Sequence, residues 1–427
     1  LKLGTIVRIA RDTYYKGSAR ATYWSAAALV AEVRALFRPG NEDFRRELLR
    51  SQWRFIVGAV QPIAGETAER ARAAAGWLRR GQAATPDDGV SLGYFPCDPQ
   101  PGRGGWRASY PETTGYIITS LLAFATRNDD VALRDAARRM AEWEMAVQMP
   151  SGAVQGGPVC PPERQTAAAF NTGMVLDGWC SAYQLFGDER LLHAARRAAD
   201  FLVDDLDENG YFKTNGAFVS AGEIKTYTCL CAWAIHRFGE ISGEARYRDA
   251  AVHVIEAALR QQRSNGWFAH NCLTHSESPL THTIGYTLQG VLEVGLASGR
   301  GDFVDAVRRT LDALLPQMSR SGFLPGCFYA DWEPASFSSC LTGSAQIAIV
   351  CYRLAAHLGE VRYRLAADQL LNFLKALQTL DADDPALNGA IAGSFPLLGG
   401  YMRSGYPNWA TKYYLDALLL QQQSANP

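Results

Sequence analysis

Six acidic side chains, Glu112, Glu163, Glu223, Glu277, Asp331 and Glu333, stand in segments that otherwise carry Gly, Pro, Ser and aromatic residues. Hydrolysis of a glycosidic bond needs an acid and a second carboxyl group, base or nucleophile, across the scissile bond. Two of these acids sharing one cleft would supply that chemistry. Glu112 and Glu333 form the leading pair, with Glu163, Glu223 and Asp331 in reserve. Glu112 also has a plainer role open to it, as an N-terminal charge that stabilises a helix by about 0.3–1 kcal/mol. Trp106, Tyr110, Trp332, Tyr406 and Trp409 lie in the same segments, and aromatic faces beside hydrogen-bonding groups suit sugar rings.

A second chemistry is open to the histidines and phenols. Proton abstraction next to a uronate carboxylate needs a cation or amide to neutralise the carboxylate, and a His or Tyr to move protons. Asn171, His275 or His282, Tyr286 and Arg403 could supply that set. Lys225, Tyr227, Asn408 and Lys412, also at predicted helix starts, complete the expected substrate contacts. His270, Cys272 and His275 are zinc-ligand types, but their spacing matches no strong metal signature. Neither a metal nor another cofactor is expected.

These residues are positioned by an internal repeat. Thr114, Thr172, Thr226, Thr283, Thr342 and Thr411 recur at steps of 58, 54, 57, 59 and 69 residues. Gly93, Gly152, Gly210, Gly266 and Gly322 recur in phase, four of them followed by an aromatic residue. Each unit reads as a largely apolar helix, as in Thr172–Leu185, and then an amphipathic one. Inner helices are predicted to start near 113, 171, 225, 282, 341 and 409. Outer helices are predicted at 130–148, 189–206, 244–263, 301–318 and 360–379. The last inner helix has no successor, and the helix predicted at 64–81 has no predecessor. Pairing these two closes the chain into an all-α, (α/α)6 toroid of six hairpins, with an open superhelical solenoid as the alternative. In a closed ring the inner N-termini collect at one mouth with their partial positive charges, and the long loops 93–112, 150–170, 207–225, 264–282, 319–341 and 380–409 line it. The repeated aromatics Tyr94, Tyr211, Trp267 and Phe323 then serve as plugs between loop and outer helix.

Residues 1–60 fall outside the period. Ala21–Phe37 and Asn41–Val57 read as two helices parted by Arg38-Pro39-Gly40, so the expected division is an N-terminal helical extension, 1–60, and a toroidal catalytic domain, 61–427. The 427 residues carry 42 Lys+Arg and 43 Asp+Glu, which leaves no global field to draw the chain to nucleic acid or an anionic membrane. Any affinity for polyanions must be local. No apolar run has the roughly 20 residues of a membrane span. Nine scattered cysteines without a CxxC pair suit free thiols in a reducing compartment. A cytoplasmic location is expected, with a periplasmic one open because the sequence starts at Leu1. A closed ring needs no partner chain, so a monomer is expected.

The strings Tyr110-Pro111-Glu112-Thr113-Thr114-Gly115-Tyr116, Gly322-Phe323-Leu324-Pro325-Gly326-Cys327 and Ser339-Cys340-Leu341-Thr342-Gly343-Ser344-Ala345-Gln346 resemble those of VpsJ-type exopolysaccharide-biosynthesis proteins, often labelled prenyltransferase or squalene-oxidase repeat proteins. The resemblance spans about residues 64–424. It implies an (α/α) toroid and a link to bacterial polysaccharide, and it supplies no catalytic residue. The repeat is similar more broadly to six-hairpin glycosidases, toroidal polysaccharide lyases and epimerases, and terpenoid cyclases, although no DxDD-like acid motif is present. The expected function is that of a carbohydrate-active enzyme, a glycoside hydrolase cleaving a bacterial exopolysaccharide or oligosaccharide. A lyase or C5-epimerase acting on uronates is the first alternative, and a non-catalytic glycan-binding protein of polysaccharide assembly the second.

Overall fold

The computed structural model describes residues 4–8, 33–97, 104–216, 219, 223–273 and 277–425. Helix α1 (Glu42–Ile56) precedes a regular alternation. The outer helices are α2 (Thr67–Ala83), α4 (Val131–Val147), α6 (Glu189–Asp204), α8 (Ala245–Leu259), α10 (Gly301–Leu314) and α12 (Val361–Lys375). The inner helices are α3 (Pro111–Asn128), α5 (Ala169–Phe186), α7 (Cys229–Ser242), α9 (Thr281–Ser298), α11 (Leu341–Leu358) and α13 (Asn408–Ala425). Each inner helix packs on the next, α13 returns to α3, and α2 packs on α13. The ring is closed, as the two unpaired helices at opposite ends of the sequence require, and the open solenoid is excluded.

Burial explains the two helix types. In α11 every residue from Leu341 to Tyr352 is buried, as expected of a helix enclosed by neighbours on all sides. The outer helices bury one stripe, in α6 Leu191, Ala194, Ala195, Ala198, Ala199 and Leu202. Asp130 and Asp188 cap α4 and α6 by accepting hydrogen bonds from the Leu133 and Arg190 amides. Arginines then stitch consecutive outer helices: Arg190 to Glu142 at 3.1 Å, Arg246 to Asp200, Arg300 to Glu256 and Arg362 to Asp312, both at 2.8 Å.

The threonine marker has a specific job. The hydroxyls of Thr114, Thr172 and Thr411 accept hydrogen bonds from the amides of Val90, Val154 and Ile391, pinning each mouth loop to an inner helix. Thr114 and Thr172 also donate to the carbonyls of Tyr110 and Ala168 at the start of their own helices. The glycines following three of the markers allow close helix contact: a Cβ on Gly115 would lie 2.5 Å from the Val175 Cα, and one on Gly343 2.6 Å from the His282 amide.

Three expectations are corrected. Gly93 does not share the part played by the other recurring glycines, whereas Gly389, outside the recurring set, does. Gly389 has φ +94° and no room for a Cβ against the Ala73 carbonyl of α2, as Gly322 has φ +92° against the Gln369 carbonyl of α12. Gly93 instead lies in a small antiparallel sheet, where β1 (Gly93–Phe95) sits between β2 (Gly105–Trp106) and β5 (Tyr406–Pro407). A further short pair joins β3 (Ser339–Cys340) to β4 (Ser394–Phe395). Outer helices also end earlier than predicted, because Leu206 and Gln262 form bridges to Phe212 and Phe268 instead of further helical turns. Finally, α7 starts at Cys229, four residues late, since Thr226–Thr228 forms a 3-10 turn.

The helix predicted at Asn41–Val57 is α1. Of Ala21–Phe37 only the end is described, with 33–36 helical. Among the described residues no helix is long and apolar enough to cross a membrane.

Candidate active site at the mouth of the ring

Glu112 is the second residue of α3, placed there because Pro111 at the first position suits a helix start. Its side chain turns into the mouth rather than to solvent, keeping part of its surface exposed. The Tyr110 hydroxyl donates to Glu112 Oε2 at 2.7 Å, and Asn171 of α5 lies against the same hydroxyl. Burial pushes the Glu112 carboxyl up to about 7, against the lowering effect of the Tyr110 hydrogen bond. The carboxyl is therefore poised between its two forms near neutral pH, where a proton donor works best.

Phenols surround it. Burial, followed by the Glu112 charge, holds Tyr116 and Tyr227 above the ordinary phenol range, and Tyr286 is raised by burial and by its neighbours Tyr116, Tyr413 and Glu112. Ring centroids of Tyr116 and Tyr413 are 5.7 Å apart, and those of Tyr286 and Tyr413 5.9 Å. Phe170 bridges Tyr227 at 5.3 Å and Tyr286 at 4.7 Å. Lys412 lies 3.9 Å from the Tyr413 ring centre and 4.9 Å from that of Tyr116, and pairs with Asp416 at 2.8 Å.

His282, buried at the start of α9, stacks 4.3 Å from the Tyr286 ring. Its Nδ1 is 2.7 Å from Gln346 Oε1 of α11. An amide oxygen only accepts, so Nδ1 carries the proton and Nε2 keeps its lone pair. Burial lowers the His282 value to about 4, partly opposed by Gln346, so the ring is neutral at physiological pH. The Tyr116 hydroxyl and Gln346 Nε2 are buried without a protein partner. Such groups are costly unless something else satisfies them.

The ring thus gathers Glu112, Tyr110, Asn171, Tyr227, His282, Tyr286 and Lys412 of the predicted residues. Trp409 joins them through Tyr401, whose hydroxyl accepts from Trp409 Nε1 at 2.8 Å, and packs edge-on to Tyr110. Other predicted residues serve the scaffold or the rim. Trp106 packs between Trp77 and Tyr94, and Trp332 against Trp267 and Phe328 with Nε1 donating to the Asn265 carbonyl. Of the three indoles expected to stack sugars, these two pack against protein rings. Tyr406 turns to Phe44 of α1, and Asn408 ties the Ser91 carbonyl to the Thr113 hydroxyl. Lys225 bonds Glu223 at 2.7 Å, and Arg403 donates to the Leu398 carbonyl. Glu163 lies exposed in a 3-10 turn. Asp331 and Glu333 form the rim with Arg8, and Thr5 donates to Glu333. Glu112 and Glu333 share no contact, and no second carboxylate contributes to the Glu112 shift. His275 lies outside the described residues.

Tyr116 and Gln346 were not foreseen. The signal was positional: Tyr116, Tyr286, Gln346 and Tyr413 each stand five places beyond the first residue of their inner helix, one turn below the mouth.

No protein-family model matches the chain, and no curated protein matches its sequence. Solved structures do. An unsaturated glucuronyl hydrolase specific for heparin superposes with TM-score 0.68 at 15% identity, over 85% of this chain and 99% of that one. The unsaturated glucuronyl hydrolase of Bacillus sp. GL1, described as responsible for the degradation of glycosaminoglycan, gives 0.65 at 18% identity, over 84% and 97%. A D-mannose isomerase gives 0.63 at 12% identity, over 82% and 96%. At these identities the likeness shows the fold.

Proposed function

We propose that the chain is a carbohydrate-active enzyme, a glycoside hydrolase acting on a bacterial exopolysaccharide or an oligosaccharide derived from it, with residues 61–427 as the catalytic ring and 1–60 as an extension. The observation that carries this reading is one buried carboxyl, Glu112, held near neutrality at about 7 in a mouth of phenols. Its isolation favours a reaction that needs one proton donor rather than a flanking pair. A sugar with a double bond next to its ring oxygen, as in the unsaturated glucuronyl substrates named for the structural neighbours, meets that requirement. Glu112 protonates the alkene carbon, and the ring oxygen stabilises the resulting cation. Water then adds while the Glu112 carboxylate takes up its proton. The hemiketal opens to a ketone and a hemiacetal at the anomeric carbon, and the hemiacetal collapses to an aldehyde, releasing the next sugar as an alcohol that keeps the hemiacetal proton. Tyr110 orients the carboxyl, and the buried phenols and Lys412 offer hydrogen bonds and positive charge to the sugar. The nine free cysteines fit a reducing compartment.

The test is incubation with intact neutral and uronic polysaccharides and with unsaturated oligosaccharides, read by mass spectrometry and by the ultraviolet band of the unsaturated uronate. Products heavier by one water per cut, with loss of that band and dependence on Glu112, support the reading. Retained binding without turnover of any substrate would overturn it in favour of a glycan-binding role.

A second reading is favoured by His282, whose free Nε2 lone pair beside Tyr286 suits proton abstraction. An epimerase or isomerase would carry solvent deuterium into a product of unchanged composition, and a lyase would create the ultraviolet band instead of removing it.

A further inference from the structure

Helix α1 is apolar on two faces. The inner one is fully used: Phe44 packs edge-on to Tyr406, Phe55 to Phe395, and Leu48 is buried. Ser51 and Gln52 accept hydrogen bonds from the Leu397 and Leu398 amides, and Arg54 donates to the Ala376 carbonyl. The helix is thus anchored to the ring without its outer face. That face carries Leu49, Trp53 and Ile56, which are 69, 65 and 74% exposed, continued by Val57. A helix on the surface of a globular protein needs one apolar stripe, so a second stripe calls for a second apolar surface.

Charge and area indicate which surface. Arg46 and Arg50 flank the stripe with side chains about two-thirds exposed. Their acidic partners Asp43 and Glu47 are turned inward, 8 and 21% exposed, whereas Asp383, which approaches Arg46 from a neighbouring loop, and Glu42 at the start of the helix are themselves exposed, 97 and 57%. Leu49, Trp53 and Ile56 expose on the order of 400 Å² of apolar surface, a small patch beside the ~800 Å² of total surface per partner that a stable protein interface buries. A bilayer needs no such area, because a few apolar and indole side chains sink into the headgroup boundary while arginines meet anionic headgroups. We propose that α1 docks the protein on the surface of a bilayer containing anionic lipids. Since α1 rides on the loops that follow α10 and α12, docking brings the mouth of the ring to the membrane. The inference does not depend on which reaction the mouth performs.

The test is sedimentation of the whole chain with vesicles of phosphatidylcholine alone and of phosphatidylcholine and phosphatidylglycerol in equal parts. The mixed vesicles should bind, and added salt should weaken binding. Replacing Leu49, Trp53 and Ile56 together by Ser should lower association roughly tenfold or more, and the single variant Trp53→Ser by less. Arg46→Gln with Arg50→Gln should remove most of the preference for phosphatidylglycerol. Leu49, Trp53 and Ile56 are exposed, so the melting curves of the Ser variants should match the parent, whereas loss of Arg46 from the buried Asp43 should lower that of the arginine variant slightly. Binding to neither vesicle, undiminished binding by the triple Ser variant, or concentration-dependent dimerisation that the triple variant abolishes would overturn the proposal.

Discussion

The Glu112 pocket at the mouth and two ion pairs in the lower half of the inner ring solve the problem of buried polarity in opposite ways. Deep in the ring, charges are neutralised in place: Arg353 grips Glu293 through two hydrogen bonds of 2.7 and 2.6 Å, and Arg237 pairs with Asp177 while also bonding Ser181. These pairs link α9 to α11 and α5 to α7. At the mouth the Glu112 carboxyl meets phenols instead of a cation, and the Tyr116 hydroxyl and Gln346 amide lack partners. Paired charges hold hairpins together, whereas unpaired polar groups keep their hydrogen-bonding capacity for a ligand at some expense of stability.

The largest effect should come from Glu112→Gln. Turnover should fall by about a thousandfold, with no loss in melting temperature, because the amide resembles the protonated acid. Native activity should decline as pH rises through about 7, the range in which Glu112 loses its proton. The sign for stability is the same: the folded value exceeds the ordinary one, so stability is greatest below the ordinary carboxyl range and declines as pH rises toward 7. A flat pH–rate profile between the ordinary carboxyl range and 8 would separate Glu112 from the chemistry.

In the lower half, Arg353→Ala leaves the buried Glu293 without its partner and should cost about 1–2 kcal/mol in chemical denaturation, because the Arg353 side chain is itself 40% exposed. Combining Glu293→Leu with Arg353→Met should restore most of it. If the single variant is neutral, the paired half is no stronger a clasp than the mouth.

Glu144 tests the same contrast away from the axis. It is fully buried in α4, both carboxylate oxygens lack partners, and burial raises it well above the ordinary range, with a further push from Asp87. Glu144→Leu should therefore stabilise the protein by about 1–2 kcal/mol near neutral pH. The gain should shrink in acid, where the native carboxyl is protonated in both folded and unfolded chains. The smallest effect is expected on the outer belt. Arg190→Ala, which removes exposed pairs with Glu142 and Asp188, should leave the melting temperature nearly unchanged, and salt should narrow any difference.

The ring was legible in the sequence because its markers are structural necessities repeated at each hairpin. Thr114, Thr172 and Thr411 pin loops, and Gly152 and Gly322 allow a loop to touch a helix backbone. The misassigned Gly93 shows the limit: glycine before an aromatic residue is a pattern, but the conformation that made the others periodic is visible only in three dimensions. The site was less legible because its members are not periodic in type. Tyr116, Met174, Tyr286, Gln346 and Tyr413 share one level of the ring yet differ chemically. Trp106 and Trp332 had the composition of sugar platforms but were taken up by Trp77 and Trp267. Whether an indole packs inward or faces a ligand depends on neighbours tens of residues away, on other elements of the ring.

Closure of the ring also orders events in time. Helix α2 is made early by the ribosome, but its inner partner α13 is made last, and the loop carrying Gly389 that seats on Ala73 comes only shortly before. Five hairpins can form from neighbouring segments as they emerge. Until α13 and the loop before it have emerged, the face of α2 that they cover has no mate, and Trp77 Nε1 lacks the Ala386 carbonyl it finally meets at 2.7 Å. Truncation by a single helix would leave that face uncovered for good, so the last eighteen residues of the ring decide whether the first ones stay out of aggregates.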